Sequence, residues 1–432
     1  MTIQLIEAPR QKVEPHHWNA LYLSSAFCLM MMTLAVGTQP LFLRNVLGIS
    51  PDSAGTINSN IMVLAETLEL VVVGSVGYLS DRLGRVRIMV VGFALAGLGA
   101  LMAPFSAAIA HLLGGGGLVL YYLARLIMAA GIGAVWPQVS TLAGDYTVEA
   151  NRARLMANNA FMMAFGKTLV YLILMRIPLH AGVIVTMLLI AATAFAGAWL
   201  AHSRLIDVAP KMRQRAVPWR QIRQLLRDEP RLRLCFATSF LARSDMVITA
   251  LFLMLWYVYF ADIVDVTDEQ AAARGGLMIG LAGVVVMASI PVWKMVIHRY
   301  GRVTAIIAGL ALSGLGFVSM ALVANPFEWF IVLPVILTAA GQAGCFVAPQ
   351  VLTVDVTPPD ILGSVLGASN VVGGLGIIFF VQVGGILFDT LGPSAPFVFV
   401  GLANFKVIAY AIFLLGRAAR LPAPADSLED AF

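Results

Sequence analysis

Apolar residues along this chain fall into twelve long runs, separated by polar breaks. A bilayer core about 30 Å thick needs roughly 20 apolar residues in a helix rising about 1.5 Å per residue. On that measure the runs at 20–42, 57–80, 88–110, 117–142, 155–177 and 182–202 predict six membrane-spanning helices. Six more follow at 234–260, 275–297, 303–323, 327–352, 363–388 and 396–415. Most are rich in Gly and Ala, as helices packed closely in lipid require. The longest polar break runs from Arg204 to Arg233 and divides the chain six plus six. Its basic amphipathic stretch KMRQRAVPWRQIRQLLRDEPRLR predicts a helix on the cytoplasmic leaflet, with a regulatory or partner-binding site as the alternative.

Lys and Arg give the orientation. If both termini are cytoplasmic, twenty basic residues lie on that side, including nine from Arg204 to Arg233. Only Arg44, Arg176 and Arg274 lie on the other. Such a bias is the positive-inside pattern, and it makes the span count even. The predicted organisation is a cytoplasmic N-terminus (1–18), a six-helix bundle (19–203), a basic linker (204–233), a second six-helix bundle (234–416) and a cytoplasmic tail (417–432). Acidic Asp262, Asp265, Asp268 and Glu269 then fall outside, after the seventh span. Trp18, Trp199, Trp256, Trp293 and Trp329 lie near span ends, where an indole can stay half wet.

Composition agrees with a membrane class: 60% hydrophobic residues, 12% charged and a mean hydropathy of +0.88. A soluble chain averages about a quarter charged. The net charge of +5 therefore belongs to membrane topology and argues for no nucleic-acid partner. Cys28, Cys235 and Cys345 lie in apolar runs without metal-ligand spacing, which supports neither a disulfide framework nor a zinc site. The polar N-terminus lacks the apolar core of a cleavable signal, so the first span is expected to direct its own insertion.

The halves also repeat. Asp81-Arg82-Leu83-Gly84-Arg85-Val86 after span two matches His298-Arg299-Tyr300-Gly301-Arg302-Val303 after span eight. Ala129-Ala130-Gly131, followed by Asp145, matches Ala339-Ala340-Gly341, followed by Asp355. The two offsets, 217 and 210, agree on one duplication, the mark of a transporter built from repeats.

The turn Gly77–Arg85 resembles the signature of the major facilitator superfamily, Gly-x-x-x-Asp-Arg-x-Gly-Arg, at Gly77, Asp81, Arg82, Gly84 and Arg85. In span four, Arg125, Gly131 and Gly133 resemble that family's Arg-x-x-x-Gly-x-Gly-x-Gly run, with Ala129 in place of its first glycine. Asp145-x6-Arg152 is similar to a further cytoplasmic charge pair of the family. The resemblance covers nearly the whole chain. It implies an all-α fold of two six-helix bundles around a central cavity, each of 3+3 inverted repeats, working by alternating access. It also implies that Asp81, Arg85 and Arg302 belong to a conformational latch. Physically, Asp81 is a fixed anion suited to a helix N-terminus or to an arginine of the other half, and Gly84 permits the tight turn. The wording LFLRNVLGIS…INSN…ETLELVVVG…GYLSDRLGRVRIM is similar to the magnetosome-membrane branch of the superfamily, of MamH type. That implies iron transport in a magnetosome membrane, with other magnetosome-membrane proteins as partners.

Charges inside the spans need a reason, since each costs on the order of 3 kcal/mol at the bilayer centre on insertion scales. The candidates for substrate binding or coupling are Glu66, Glu69, Arg125, Lys167, Arg243 and Asp245; Lys406 is a peripheral case. Glu66 and Glu69 sit about 60° apart on one helix face, with Ser59 and Met62 in line. Two carboxylates so close repel, so one holds a proton or a cation sits between them, which makes the pair a candidate metal and coupling site. Internal pairing, such as Glu69 with Arg125 or Lys167, is the rival. All six histidines lie in loops or at span ends, which excludes an imidazole cage at midplane. No phosphate loop, nucleophile triad or dinucleotide fingerprint appears, so neither an enzyme, an ATP-driven pump nor a cofactor is expected. The expectation is a proton- or ion-coupled secondary transporter with a metal cation as cargo. The alternatives are a carrier or exporter of a small organic solute or drug, and a non-transporting sensor or scaffold.

Overall fold

The computed structural model describes residues 13–147, 151–208, 219–358 and 361–418, with backbone only for Tyr78, Asp81, Arg152, Ala153 and 415–418. Most of the N-terminal segment, the middle of the linker and the tail lie outside the described residues. Among the described residues, twelve helices are long and apolar enough to cross a membrane. The first six are Pro15–Asn45, Pro51–Gly77, Arg85–Leu113, Gly117–Tyr146, Arg154–Arg176 and Pro178–Arg204. The second six are Pro230–Ile263, Asp268–Tyr300, Arg302–Leu322, Trp329–Val356, Leu362–Leu391 and Ala395–Leu414. The first, seventh and eighth have 31 to 34 residues, more than the core of a bilayer requires, so their ends project or the helices tilt.

Within the first half, span three packs on spans four and six, span one on spans five and six, and span two on span four. The second half repeats this with span nine on spans ten and twelve, and span eight on span ten. Close backbone approach explains the repeated glycine. A methyl group at Gly131 of span four would strike the backbone of Ala96 in span three, and one at Gly341 of span ten the backbone of Ser313 in span nine. The turns joining spans two to three and eight to nine are made by Gly84 (φ 95°) and Gly301 (φ 83°), a region that disfavours any residue with a Cβ.

The halves meet through spans two and eleven, spans five and eight, and spans one and seven. With an even number of spans, both chain ends lie on one face, here the terminus-bearing face; the opposite one is the far face. Toward the far face the contacts are tight. A methyl at Gly55 would lie 2.8 Å from Phe388 Cβ, and one at Gly276 would lie 2.7 Å from Met175 Cβ. Further along the same helices, Gly74, Gly363 and Gly367 have nothing within 4 Å of where a Cβ would stand. The halves therefore close from the far face to the level of Glu66 and diverge below it.

Two expectations change. Trp18, Trp256 and Trp293 are buried in protein rather than half wet, and Trp293 Nε1 donates to Ala340 O at 2.7 Å. Within the linker, Trp219–Asp228 forms a helix with Ile222 buried, and span seven begins at Pro230, earlier than the apolar run implied.

Candidate functional site

The charged residues of the spans gather at the level where the halves part. Glu66 faces the other half: a methyl at Gly374 of span eleven would lie 3.1 Å from Glu66 Oε1. The neighbouring glycine, Gly373, gives room to the side chain of Arg243 from span seven. Arg243 Nη1 donates to Asn370 O at 3.2 Å, and its charge acts on both Glu66 and Glu69. Glu69 lies against its own half. Its backbone lies against Gly133 of span four, where a methyl would come within 3.2 Å, and its charge reaches Arg125 and Cys28. The two carboxylates act on each other and share Arg243 but differ otherwise: Glu66 meets Gly374 across the interface, and Glu69 adjoins Arg125 and Gly133 of the first half.

Arg125 is buried at 6% exposure, its Nη2 lies 3.6 Å from Met62 Sδ, and its Nε has no hydrogen-bond partner. Among the described residues no ion pair closes between these carboxylates and Arg125, Lys167 or Arg243. No three His, Cys, Asp or Glu side chains among them converge as a metal centre would need. Lys167 stands apart, in a pocket between span five and spans seven, eight and ten that includes Thr168, Thr249 and Gln342. Asp245 is fully buried inside the second half, accepts from Ser313 Oγ at 3.2 Å, and does not join the group.

At the far face the halves are tied by charge. Arg44, ending span one, donates to Val258 O at 2.8 Å and pairs with Asp262 at 2.5 Å and Asp268 at 2.9 Å. Asn45 donates to Glu269 at 2.9 Å, and Tyr259 Oη donates to Ile49 O at 3.2 Å. Asp389 at the end of span eleven accepts from the backbone N–H groups of Gly55 and Thr56 at 2.7 and 2.8 Å. That supplies an N-cap which Ser53 does not provide, from the other half of the protein. Gln382 donates to Asn60 at 2.9 Å one level deeper.

A profile of the Major Facilitator Superfamily matches residues 21–289 and 246–431. The chain belongs to that superfamily. It is a multi-pass membrane transporter and not an enzyme. It is 59% identical to the magnetosome protein MamH of Paramagnetospirillum magneticum (strain ATCC 700264 / AMB-1), over 96% of each chain. It is also 42% identical to the magnetosome protein MamZ of the same organism, over 93% of this chain and 63% of that one. In fold it is similar to the nucleoside transporter NupG (TM-score 0.72, 14% identity, 92% of this chain and 99% of that one). A partially occluded inward-open structure of the xylose transporter XylE from E. coli is another neighbour (TM-score 0.67, 15% identity, 94% and 98%).

The superfamily's signature turn sits on the terminus-bearing face, where it is tied to other parts of its own half. Arg85 pairs with Asp145, while the backbone N–H groups of Arg85 and Val86 donate to Asp207 at 2.7 and 3.1 Å. Asp207 thus caps span three, a role the sequence did not disclose. The repeat is faithful: Arg302 pairs with Asp355 at 2.7 Å, the equivalents of Arg85 and Asp145. The side chains of Asp81 and Arg152 lie outside the described residues; Gly77 and Arg82 lie in the last turns of the same helix. Among the residues missed from sequence, Asp262 and Asp268 carried one signal, an acidic cluster at one end of span seven, and Asp389 carried none.

Proposed function

We propose that this superfamily member is a secondary active transporter working by alternating access, coupled to protons or another ion through Glu66. The carrying observation is the position of Glu66. It belongs to one half, touches Gly374 of the other, feels Arg243 across the interface, and sits where the two halves part. A charge change there alters the energy of bringing the halves together, which is what coupling requires. Glu69, with Arg125 behind it, is the second member of the couple. The basic bias makes the terminus-bearing face cytoplasmic, so this state opens to the cytoplasm. Identity to MamH, a magnetosome protein, supports a place in a magnetosome membrane. Iron as the cargo and other magnetosome-membrane proteins as partners are part of this proposal.

Two carboxylates three residues apart, neither closed into an ion pair, also favour a second reading in which Glu66 and Glu69 themselves hold the metal cation in transit. Uptake of radiolabelled ferrous and ferric iron into proteoliposomes, with and without a proton gradient, separates the two. In the coupling reading, Glu66→Gln abolishes the response to the gradient and leaves downhill exchange of iron measurable. In the ligand reading, Glu66→Gln and Glu69→Gln each abolish both. Absence of iron flux in the wild type overturns the cargo assignment.

A further inference from the structure

We infer that the pocket around Lys167 binds a small organic polycarboxylate, free or carrying a metal ion, so that the cargo is recognised as an anion. The inference rests on the transport reading and specifies the chemistry of its ligand.

Three observations lead there. First, Lys167 lies at the middle of span five, in a pocket whose opposite wall belongs to the other half, including Met246 and Gln342. Among the described residues no hydrogen bond or ion pair reaches its ammonium, although an isolated charge at this depth is costly. Secondly, the donor groups of Gln342 and Thr249 are committed within the second half. Gln342 Nε2 donates to Asp245 O and Thr249 Oγ1 at 3.1 and 3.0 Å, and Thr249 Oγ1 donates to Asp245 O at 2.7 Å. Thr168 has only a 4.0 Å contact to Met287 Sδ. What remains for a ligand is the ammonium, with the Thr168 hydroxyl and Gln342 Oε1 as neutral neighbours, amid apolar side chains. Thirdly, the charges within the spans do not balance. Arg125 and Arg243 act on Glu66 and Glu69, which leaves Lys167 in its own pocket with no carboxylate, while Asp245 is turned into the second half.

A cation site needs converging carboxylate or carbonyl acceptors, and the lining of this pocket holds no carboxylate and one ammonium. An anionic head at Lys167 would satisfy the ammonium, balance the excess charge and, by touching both halves, bind best when they close. Arg243 stands three residues before Met246 on span seven, hence on the same face and one turn nearer the open side. It places a second positive charge on the path from that side to Lys167.

The test is equilibrium binding by calorimetry to the full chain in lipid nanodiscs, which does not depend on transport. Citrate, ferric citrate and ferrous ion alone are the probes. Citrate or ferric citrate should bind, and Lys167→Met should weaken binding at least tenfold while Lys167→Arg restores part of it. Competition between citrate and ferric citrate then tells the free acid from its metal complex. If the Lys167→Met protein is not folded by size exclusion, Met287→Cys in the otherwise intact chain serves instead. The native Cys28, Cys235 and Cys345 are buried, so a polar thiol reagent should report the introduced thiol, and citrate should slow its reaction. Binding of ferrous ion alone with no binding of either carboxylate, or carboxylate binding indifferent to Lys167→Met, overturns the inference. Failure of the transport reading would show differently, as intact binding without flux.

Discussion

The two faces of this transporter are fastened by similar bonds placed differently. On the far face a set of bonds crosses between the halves: Arg44 to Asp262 and Asp268, Asn45 to Glu269, Asp389 to the amides of Gly55 and Thr56. On the terminus-bearing face Arg85–Asp145, Arg302–Asp355 and the Asp207 cap each stay within one half. A bond inside a half moves with it as a rigid body and keeps its energy when the protein switches. A bond between halves must break. On the alternating-access reading proposed above, the far-face ties therefore favour the state seen here, and the ties of Arg85 and Arg302 hold together the bodies that move.

The most drastic way to break this asymmetry is steric. Gly385 abuts Ser59 and the backbone of Gly55, so Gly385→Val should cost about 3 kcal/mol in the closed far face and shift the population roughly a hundredfold. Spin labels at Leu47→Cys and Ile263→Cys would then report the longer distance as the major one. Arg44→Ala should come next, with about a tenfold shift, ~1.4 kcal/mol, because Arg44 and Asp268 are only 14% and 19% exposed. Asp262→Asn should do little, since that carboxylate is 71% exposed and water already screens it. Asp389→Asn keeps a cap but loses its charge at the N-terminus of span two, and should shift the same distance distribution by about threefold, from roughly 0.5–1 kcal/mol. Arg302→Ala should leave the distribution unchanged and lower only the melting temperature slightly, its ion pair being 43% and 40% exposed. A large population shift from Arg302→Ala would refute the division of labour between the faces.

The twelve spans were legible because a helix in lipid must be apolar for about twenty residues, and nothing else in the chain is. The duplication at Gly84 and Gly301 was legible because both turns need positive φ and so keep glycine. Its repeated acids were legible too, though only the structure joined Asp145 to Arg85 and Asp355 to Arg302. The far-face ties were not legible. Arg44 and Asp262 are 218 residues apart, each at the end of an ordinary span, and no local pattern couples them. Asp245 shows a different limit. In a bundle both the cavity side and the packed side of a helix can carry a polar group, so helical spacing did not place it in the second half rather than the cavity.

The borrowed cap on span two has one more consequence. The equivalent helix, span eight, caps itself through Thr267 and Gln270 and keeps that cap in any state. Span two depends on Asp389, so the amide hydrogens of Gly55 and Thr56 are sheltered only while the far face is shut. Deuterium uptake at those two positions, set against uptake at Gln270, becomes a label-free clock for the opening of the protein in its own membrane.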